Sequence, residues 1–178
     1  TLNLLLLVFY KYTSFIIENV NYILAILSVD PIKQVQIKRP VGISFYTFHG
    51  LSYVIDIYKS RIRPERNFVN YSVFVSFFPL LVAGPIERAT HLLPQIIQPR
   101  KFDYYKAVDG LRQILWGLFK KMVIADNCAE YANMIFNNSS EYHGSTLVFG
   151  ALFFTFQIYC DFSGYSDIAL GTARLFGI

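Results

Sequence analysis

The stretch FQIYCDFSGYSDIALG, residues 156–171, decides the fold because it places polar side chains in and directly after a very apolar run. That run, residues 146–163, carries a single formal charge, at Asp161, and its helical pattern continues to the last residue with a predicted break at Gly164. A lipid-spanning helix needs about 20 mostly apolar residues. A charged group at membrane depth costs at least about 2.5–3.5 kcal/mol and therefore usually faces a bundle interior or a watery cavity. The stretch predicts a membrane helix with polar, inward-facing groups.

The composition of the whole chain agrees with a membrane setting. Of 178 residues, 54% are hydrophobic and only 16% are charged, against about 25% charged in typical soluble domains. The net charge of +4 comes from basic residues grouped in short clusters between apolar runs. Such clusters fit anionic lipid headgroups and not a nucleic-acid-binding stripe, so nucleic acid is excluded as a partner.

Two further segments approach the length of a membrane span. Residues 41–58 follow Pro40 and carry one formal charge, Asp56, whereas residues 68–86 carry none. Polar residues interrupt the first thirty positions, so we predict two partial helices that meet at residues 18–21. The predicted fold class is an all-α, polytopic transmembrane bundle, and we expect the chain to be a single partial domain, residues 1–178, truncated at both ends.

A middle segment carries apolar residues at helical spacing and predicts an amphipathic helix. The apolar positions are Leu111, Ile114, Leu115, Leu118, Phe119, Met122 and Val123. Gln113, Lys120 and Lys121 fall off this stripe. Two interpretations fit: an interfacial helix in the headgroup plane with its lysines toward phosphate, or an amphipathic helix packed on other protein.

Polar residues of the apolar segments share helical faces. His49, Ser52, Tyr53 and Asp56 follow the spacing i, i+3, i+4, i+7, which predicts an inward face. On the last helix Gln157, Asp161 and Tyr165 form one stripe, and Tyr159, Ser163 and Asp167 form a second, about half a turn away. These groups either brace neighbouring helices by hydrogen bonds or line a polar tunnel.

Proline and glycine interrupt the charge-free segment 68–86. Pro79 and the pair Gly84-Pro85 free backbone carbonyls near membrane depth, and these need partners. Arg88 is placed to bind such carbonyls or to bind an anionic ligand.

Four blocks of sequence carry a resemblance to a known family. They are VGISFYTFHGLSYVIDIYK, NFVNYSVFVSFFPLLVAGPIERATHLLPQ, GLFKKMVIADNCAEYAN and FQIYCDFSGYSDIALGTARLFGI. In this order they resemble the membrane-bound O-acyltransferases, in the bacterial alginate O-acetylase branch. The resemblance implies a multi-pass protein of the bacterial cytoplasmic membrane, which transfers an acyl group, acetyl by preference, from a thioester donor to a hydroxyl of an extracytoplasmic polysaccharide.

The resemblance also implies roles for individual residues. The family's catalytic histidine lies after the DFSGYSD block, in a tryptophan-arginine-x-tryptophan-histidine type of motif, and no histidine here matches it, so no catalytic residue is predicted within this chain. Asp161 or Asp167 would orient that histidine, and Lys120 with Lys121 would dock the donor. The predicted tunnel-lining or bracing residues are Gln157, Asp161, Ser163, Tyr165, Asp167, His49, Asp56 and Arg88.

Partners follow from the same resemblance. No metal and no tightly bound cofactor is expected, because the acyl thioester, acetyl-CoA or an acyl carrier protein, is a substrate. Membrane lipids, the polysaccharide and a periplasmic partner protein complete the predicted set. Three alternatives stay open: D-alanyl transfer to teichoic acid by the same fold, a catalytically inactive scaffold, and a transporter or channel component, in which buried aspartates and a proline-broken helix are equally natural.

Overall fold

The computed structural model describes residues 2–34, 37–38, 40–81 and 87–178. These residues form helices and their connections, and no β-strand occurs among them, which confirms the all-α prediction. The chain divides into two compact units. Unit 1 comprises Thr1–Ser76 with Ile86–Leu93, and unit 2 comprises Phe77–Pro85 with Pro94–Ile178.

The first helix of unit 1, α1, is continuous over Leu2–Ile26. The prediction of two partial helices meeting at residues 18–21 is therefore wrong. Asn19 donates its side-chain amide to the carbonyl four residues earlier at 2.7 Å. Asn21 exchanges two hydrogen bonds with the Ile32 backbone, at 2.9 and 2.7 Å. Because these polar side chains find partners without disturbing the helical backbone, they do not interrupt the helix.

Helix α2, Ile43–Tyr58, confirms the helix predicted over residues 41–58. Its start is set by Gly42, whose φ of 76° lies in the left-handed region that glycine adopts without a steric cost. Helix α3, Phe68–Val75, is capped by Asn67, whose side-chain oxygen accepts from the Val69 amide at 2.9 Å.

The charge-free segment 68–86 does not form the single membrane span that its length suggested, and the predicted interruption at Pro79 is observed. Helix α3 ends at Val75, and a 3-10 turn over Phe78–Leu80 follows. Pro79 explains the break, because proline has no N–H to donate and disfavours a helical conformation in the residue before it. The predicted break at Gly84-Pro85 lies outside the described residues. Helix α4 then covers Ala89–Ile97.

Unit 2 contains a long helical hairpin. Helix α5, Tyr104–Leu118, continues through a π-helical segment, Phe119–Ala125, into α6, Asp126–Asn137. Helix α7, Gly144–Leu175, packs against all three. The predicted continuation of the last helix is confirmed.

Glycines bring the α5 and α7 backbones into direct contact. A Cβ added to Gly117 would lie 2.5 Å from the carbonyl oxygen of Gly164, and one added to Gly171 would lie 2.5 Å from that of Gly110. On each helix the two glycines are seven residues apart, and Gly110 faces Gly171 whereas Gly117 faces Gly164. The two helices are therefore antiparallel. Small residues of this kind permit the close helix approach common in membrane proteins. The expected break at Gly164 is therefore wrong, because this glycine serves a helix contact and the helix continues through it.

The hairpin encloses polar groups where Gln113 and Lys120 meet α7, and it exposes large apolar side chains. On α5 and the π-helical segment, Leu111, Leu115 and Met122 are 56–69% exposed, whereas Gln113 and Lys120 are partly buried toward α7. In the described part of the chain, α7 is the one helix long and apolar enough to cross a membrane by length and composition. Only 17% of its most apolar window is buried. The interpretation that placed Lys120 toward lipid phosphate is corrected, because its ammonium binds α7.

Candidate functional site

A group of four side chains, which we call the polar seam, joins α5 and the π-helical segment to α7. These residues are Gln113, Lys120, Ser163 and Asp167. The Lys120 ammonium lies 2.6 Å from Asp167 Oδ2 and donates to Ser163 Oγ at 2.8 Å. Gln113 donates from Nε2 to Asp167 Oδ1 at 3.1 Å. The Lys120 and Asp167 side chains are only 18% and 19% exposed. The Asp167 carboxylate is thus held on both oxygens in a mostly enclosed position.

The π-helical segment explains how the consecutive residues Lys120 and Lys121 both reach α7. Its turn is wider than that of an α-helix, and the Asp126 amide bonds to the carbonyl of Lys121, five residues back. Lys121 Nζ lies 2.7 Å from Asp126 Oδ1 and 2.9 Å from Asp161 Oδ1. Lys121 thus lies against two carboxylates, one on α6 and one on α7.

The two aspartates of the DFSGYSD block therefore occupy different environments. The Asp161 side chain is 54% exposed, and that of its partner Lys121 is 43% exposed, so water screens this ion pair. Asp167 has less than half that exposure. Of the two, Asp167 is the better candidate for holding another side chain in a fixed orientation.

The remaining predicted residues of α7 do not form one tunnel wall. Tyr165 donates its hydroxyl to the carbonyl oxygen of Pro79 at 2.8 Å, which satisfies a group freed by the 3-10 turn. Gln157 has an enclosed Oε1 with no hydrogen-bond partner among the described residues. Tyr159 is 66% exposed, although it shares a predicted stripe with Ser163 and Asp167. The second stripe is thus split between the contact with α5 and the outer surface.

Unit 1 buries a second set of polar residues on α2. His49 and Asp56 are 0% and 3% exposed, and Tyr53 is also buried, so the predicted inward face is observed. Asp56 Oδ1 accepts from Arg61 Nη1 at 3.3 Å. Neither ring nitrogen of His49 makes a well-aligned hydrogen bond with any residue that the structure describes.

Two other predictions concern Arg88 and metal binding. Arg88 is exposed and directly precedes α4. The carbonyls of residues 82–86 that it was predicted to bind lie outside the described residues, so this role stays a prediction. In the part of the chain that the structure describes, no three His, Cys, Asp or Glu side chains come together as a metal site.

Because His49 is fully buried and, in the described part of the chain, its ring has only a poorly aligned contact with the Val75 backbone, its polar atoms oppose folding. We expect His49→Leu to raise the free energy of unfolding by about 1 kcal/mol, since leucine removes the unpaired groups and keeps most of the volume. Chemical denaturation in detergent micelles measures this change. His91→Leu is the control, because the His91 side chain is 70% exposed. A clear loss of stability in His49→Leu alone would show that the ring has a stabilising partner.

No protein-family model matches the chain. The probable alginate O-acetylase AlgI of Azotobacter vinelandii is 38% identical over 175 residues, which is 98% of this chain and 35% of that protein. The resemblance to the membrane-bound O-acyltransferase family is confirmed.

Relatives with other named acceptors align over most of the chain as well. The peptidoglycan O-acetyltransferase of Helicobacter pylori is 34% identical over a 202-residue alignment, covering 99% of this chain and 38% of that protein. The teichoic acid D-alanyltransferase of Bacillus subtilis is 24% identical over 144 residues, or 78% of this chain and 35% of that protein. The chain spans about a third of the length of these curated relatives.

Sequence reasoning missed two contributors to the site. Gln113 was noted only as a polar residue off an apolar stripe, yet it holds one oxygen of Asp167. The glycine pairs were also missed, although Gly110 and Gly117 share the seven-residue spacing of Gly164 and Gly171. Equal spacing of small residues in two helices is the signal that predicts such a contact.

Proposed function

We propose that this protein transfers an acyl group, acetyl by preference, from a thioester donor to a hydroxyl of an extracytoplasmic polysaccharide. The observation that carries the proposal is the 38% identity to an alginate O-acetylase along 98% of the chain. A peptidoglycan O-acetyltransferase matches nearly as well. Both relatives are named as O-acetyl-transferring enzymes, but their names specify different polymers. We therefore propose the reaction without specifying the polymer.

The proposed location is the bacterial cytoplasmic membrane, with several helices crossing it. The distribution of side chains in unit 2 supports this placement. The contact between the hairpin and α7 encloses the Lys120–Asp167 ion pair and the paired glycines, while large apolar side chains are exposed. In lipid this arrangement is favourable, because this ion pair is enclosed and the apolar groups meet acyl tails.

The proposed chemistry assigns supporting roles to this chain. A histidine supplied by the family motif that follows the DFSGYSD block would accept the proton of the acceptor hydroxyl. The hydroxyl oxygen then attacks the thioester carbonyl, and the thiolate leaves; general-base catalysis of this kind contributes about 10²–10⁴ in rate. Asp167, fixed by Lys120 and Gln113, is suited to orient that histidine. Ser163 and Tyr165 brace the same helix, through Lys120 and the Pro79 carbonyl.

The donor and the partners are also proposals. Acetyl-CoA or an acyl carrier protein would supply the acyl group, and Lys121, which is partly exposed, is the more accessible of the two lysines predicted to dock it. Lys120 already binds Asp167 and Ser163. A periplasmic acyl-acceptor or acetyltransferase protein would act together with this protein. Transfer of D-alanine to teichoic acid is the second candidate, supported by the match to the Bacillus subtilis enzyme.

A transfer assay tests this function. Membranes from cells that express the full-length gene receive acetyl-CoA labelled in the acetyl group, and label in the polysaccharide fraction is counted. We expect incorporation only when the protein is present, and about a tenfold loss in Asp167→Asn at equal membrane abundance, a change of about 1.4 kcal/mol in transition-state stabilisation. Asp161→Asn is the matched control and should retain most activity, because Asp161 is solvated.

The outcomes separate the candidates. Labelled D-alanine entering teichoic acid, with no acetyl transfer, would support the second candidate. No incorporation of either label above membranes without the protein would contradict acyl transfer and favour a transporter or scaffold. Equal activity of Asp167→Asn and the wild type would remove the orienting role of Asp167.

A further inference from the structure

Unit 2 contains a cavity of about 490 Å³ that lies apart from the polar seam. It lies where residues 98–103, the start of α5 and the end of α7 meet. Four basic side chains line it: Arg100, Lys101, Lys106 and Arg174. The volume falls in the range of small-molecule sites, about 300–1,000 Å³.

The acidic groups near this cavity are already engaged. Asp103, the acidic residue of the lining, accepts from the Tyr105 and Lys106 amides at 2.9 and 3.3 Å and so caps α5. Arg174 pairs with Asp109. The side chains of Lys101 and Lys106 have no hydrogen bond or ion pair with any described residue. The cavity therefore carries an excess of positive charge.

Arg100 is held at the wall of the cavity by the end of α7. It donates from Nη1 to the Phe176 carbonyl at 3.5 Å, and its side chain packs on Gly177. Gly177 has a φ of +75°, a conformation that other residues rarely adopt, and a Cβ there would approach three Arg100 atoms at 3.6–3.7 Å. A guanidinium beside two ammonium groups that have no described ion-pair partner is a combination that suits an anion with several oxygens.

We propose that this cavity binds a phosphate group carried by a larger molecule. Like charges gathered in one concavity repel each other, and a bound anion relieves that repulsion. Phe102 and Phe176 also line the cavity, so the body attached to the phosphate meets apolar surface. Both a soluble acyl donor such as coenzyme A and an anionic lipid have this chemistry. The assignment to the acyl donor rests on the proposed function, whereas the phosphate site itself does not.

Equilibrium binding tests the proposal. The full-length protein in phosphatidylcholine nanodiscs is titrated with coenzyme A, with inorganic phosphate as a competitor. The test variant carries Lys101→Gln and Lys106→Gln, which remove charge without removing a contact. The matched control carries Lys33→Gln and Lys59→Gln, two exposed lysines of unit 1. We expect the test variant to bind coenzyme A at least about tenfold more weakly than the control, because it can no longer make charge-assisted hydrogen bonds to the phosphate from positions 101 and 106.

A second arm distinguishes the source of the phosphate. Native mass spectrometry counts phosphatidylglycerol retained by the same two variants from mixed nanodiscs of phosphatidylcholine and phosphatidylglycerol. Loss of coenzyme A binding in the test variant supports the acyl donor, and loss of retained phosphatidylglycerol supports the lipid. If both variants bind both probes alike, the site is wrong. Neither readout needs turnover, so a failed transfer assay with intact charge-dependent binding would contradict the proposed function and leave the phosphate site standing.

Discussion

Replacing Gly117 with alanine is expected to lower the free energy of unfolding by about 1–3 kcal/mol. The added methyl group would lie 2.5 Å from the Gly164 carbonyl oxygen and 2.8 Å from Ile168 Cγ1. A backbone oxygen cannot rotate away as a side chain can, so α5 and α7 must separate. Separation would stretch every bond of the polar seam, and the loss should outweigh the gain of about 1 kcal/mol that alanine brings to a helix.

Gly50→Ala is the matched control for this prediction, because Gly50 also lies inside a helix. A Cβ at Gly50 would meet its nearest atom, Asn3 Nδ2, at 3.4 Å, which is an ordinary contact. We therefore expect Gly50→Ala to be neutral or to stabilise by up to about 1 kcal/mol. Denaturant titration of both variants in the same detergent gives the comparison. Similar behaviour of the two variants would contradict direct backbone contact between α5 and α7.

The second large effect is expected at Lys120. Replacing Lys120 with methionine keeps most of its length but leaves the Asp167 carboxylate with Gln113 alone. Breaking a buried ion pair costs about 3–5 kcal/mol, and breaking an exposed pair costs about 0–1 kcal/mol. Since both side chains are slightly under one-fifth exposed, we expect a loss of about 2–3 kcal/mol.

Lys121→Met provides the control on the same segment. Its partners are exposed, so we expect a loss below about 1 kcal/mol. Adding Asp167→Asn to Lys120→Met should restore part of the lost stability, because a neutral amide replaces the unpaired carboxylate. Thermal unfolding followed by fluorescence measures all three variants. Equal losses in the two lysine variants, or no recovery in the double variant, would show that enclosure of the Lys120–Asp167 pair does not matter.

The helices were largely predictable, because hydrophobic periodicity and proline positions are local signals. The extent of α7 followed from its helical pattern, although the break expected at Gly164 does not occur, and the inward face of α2 followed from the spacing of His49, Tyr53 and Asp56. The break at Pro79 was underestimated because the charge-free composition of residues 68–86 was given more weight than the proline. The continuity of α1 could not be read locally, because the Asn21 side chain binds Ile32, eleven positions away.

The site was predicted less well, because pairwise contacts depend on how helices pack. DFSGYSD contains two aspartates, and nothing in the sequence alone shows that Asp167 is enclosed while Asp161 is solvated. The sequence also did not determine whether the Lys120 side chain points toward lipid headgroups or toward other protein. An amphipathic pattern separates polar from apolar residues but does not say which face meets protein, and in lipid the polar face packs inward. The π-helical turn, which brings Lys120 and Lys121 to α7, has no simple sequence signal.

The unbroken length of α7 has a consequence for where chemistry sits relative to the bilayer. Its 32 residues extend about 48 Å, against a hydrocarbon thickness of about 30 Å. In the proposed membrane placement, such a rod must tilt or project into the headgroup layer. Asp167 lies about 12 Å along the axis from the last residue of the helix, Leu175. If the carboxyl-terminal end of α7 projects, the cationic cavity lies at headgroup depth. The Asp167 carboxylate then lies about two helical turns deeper. A ligand whose phosphate is bound in the cavity would therefore be able to extend a flexible chain from that phosphate toward Asp167.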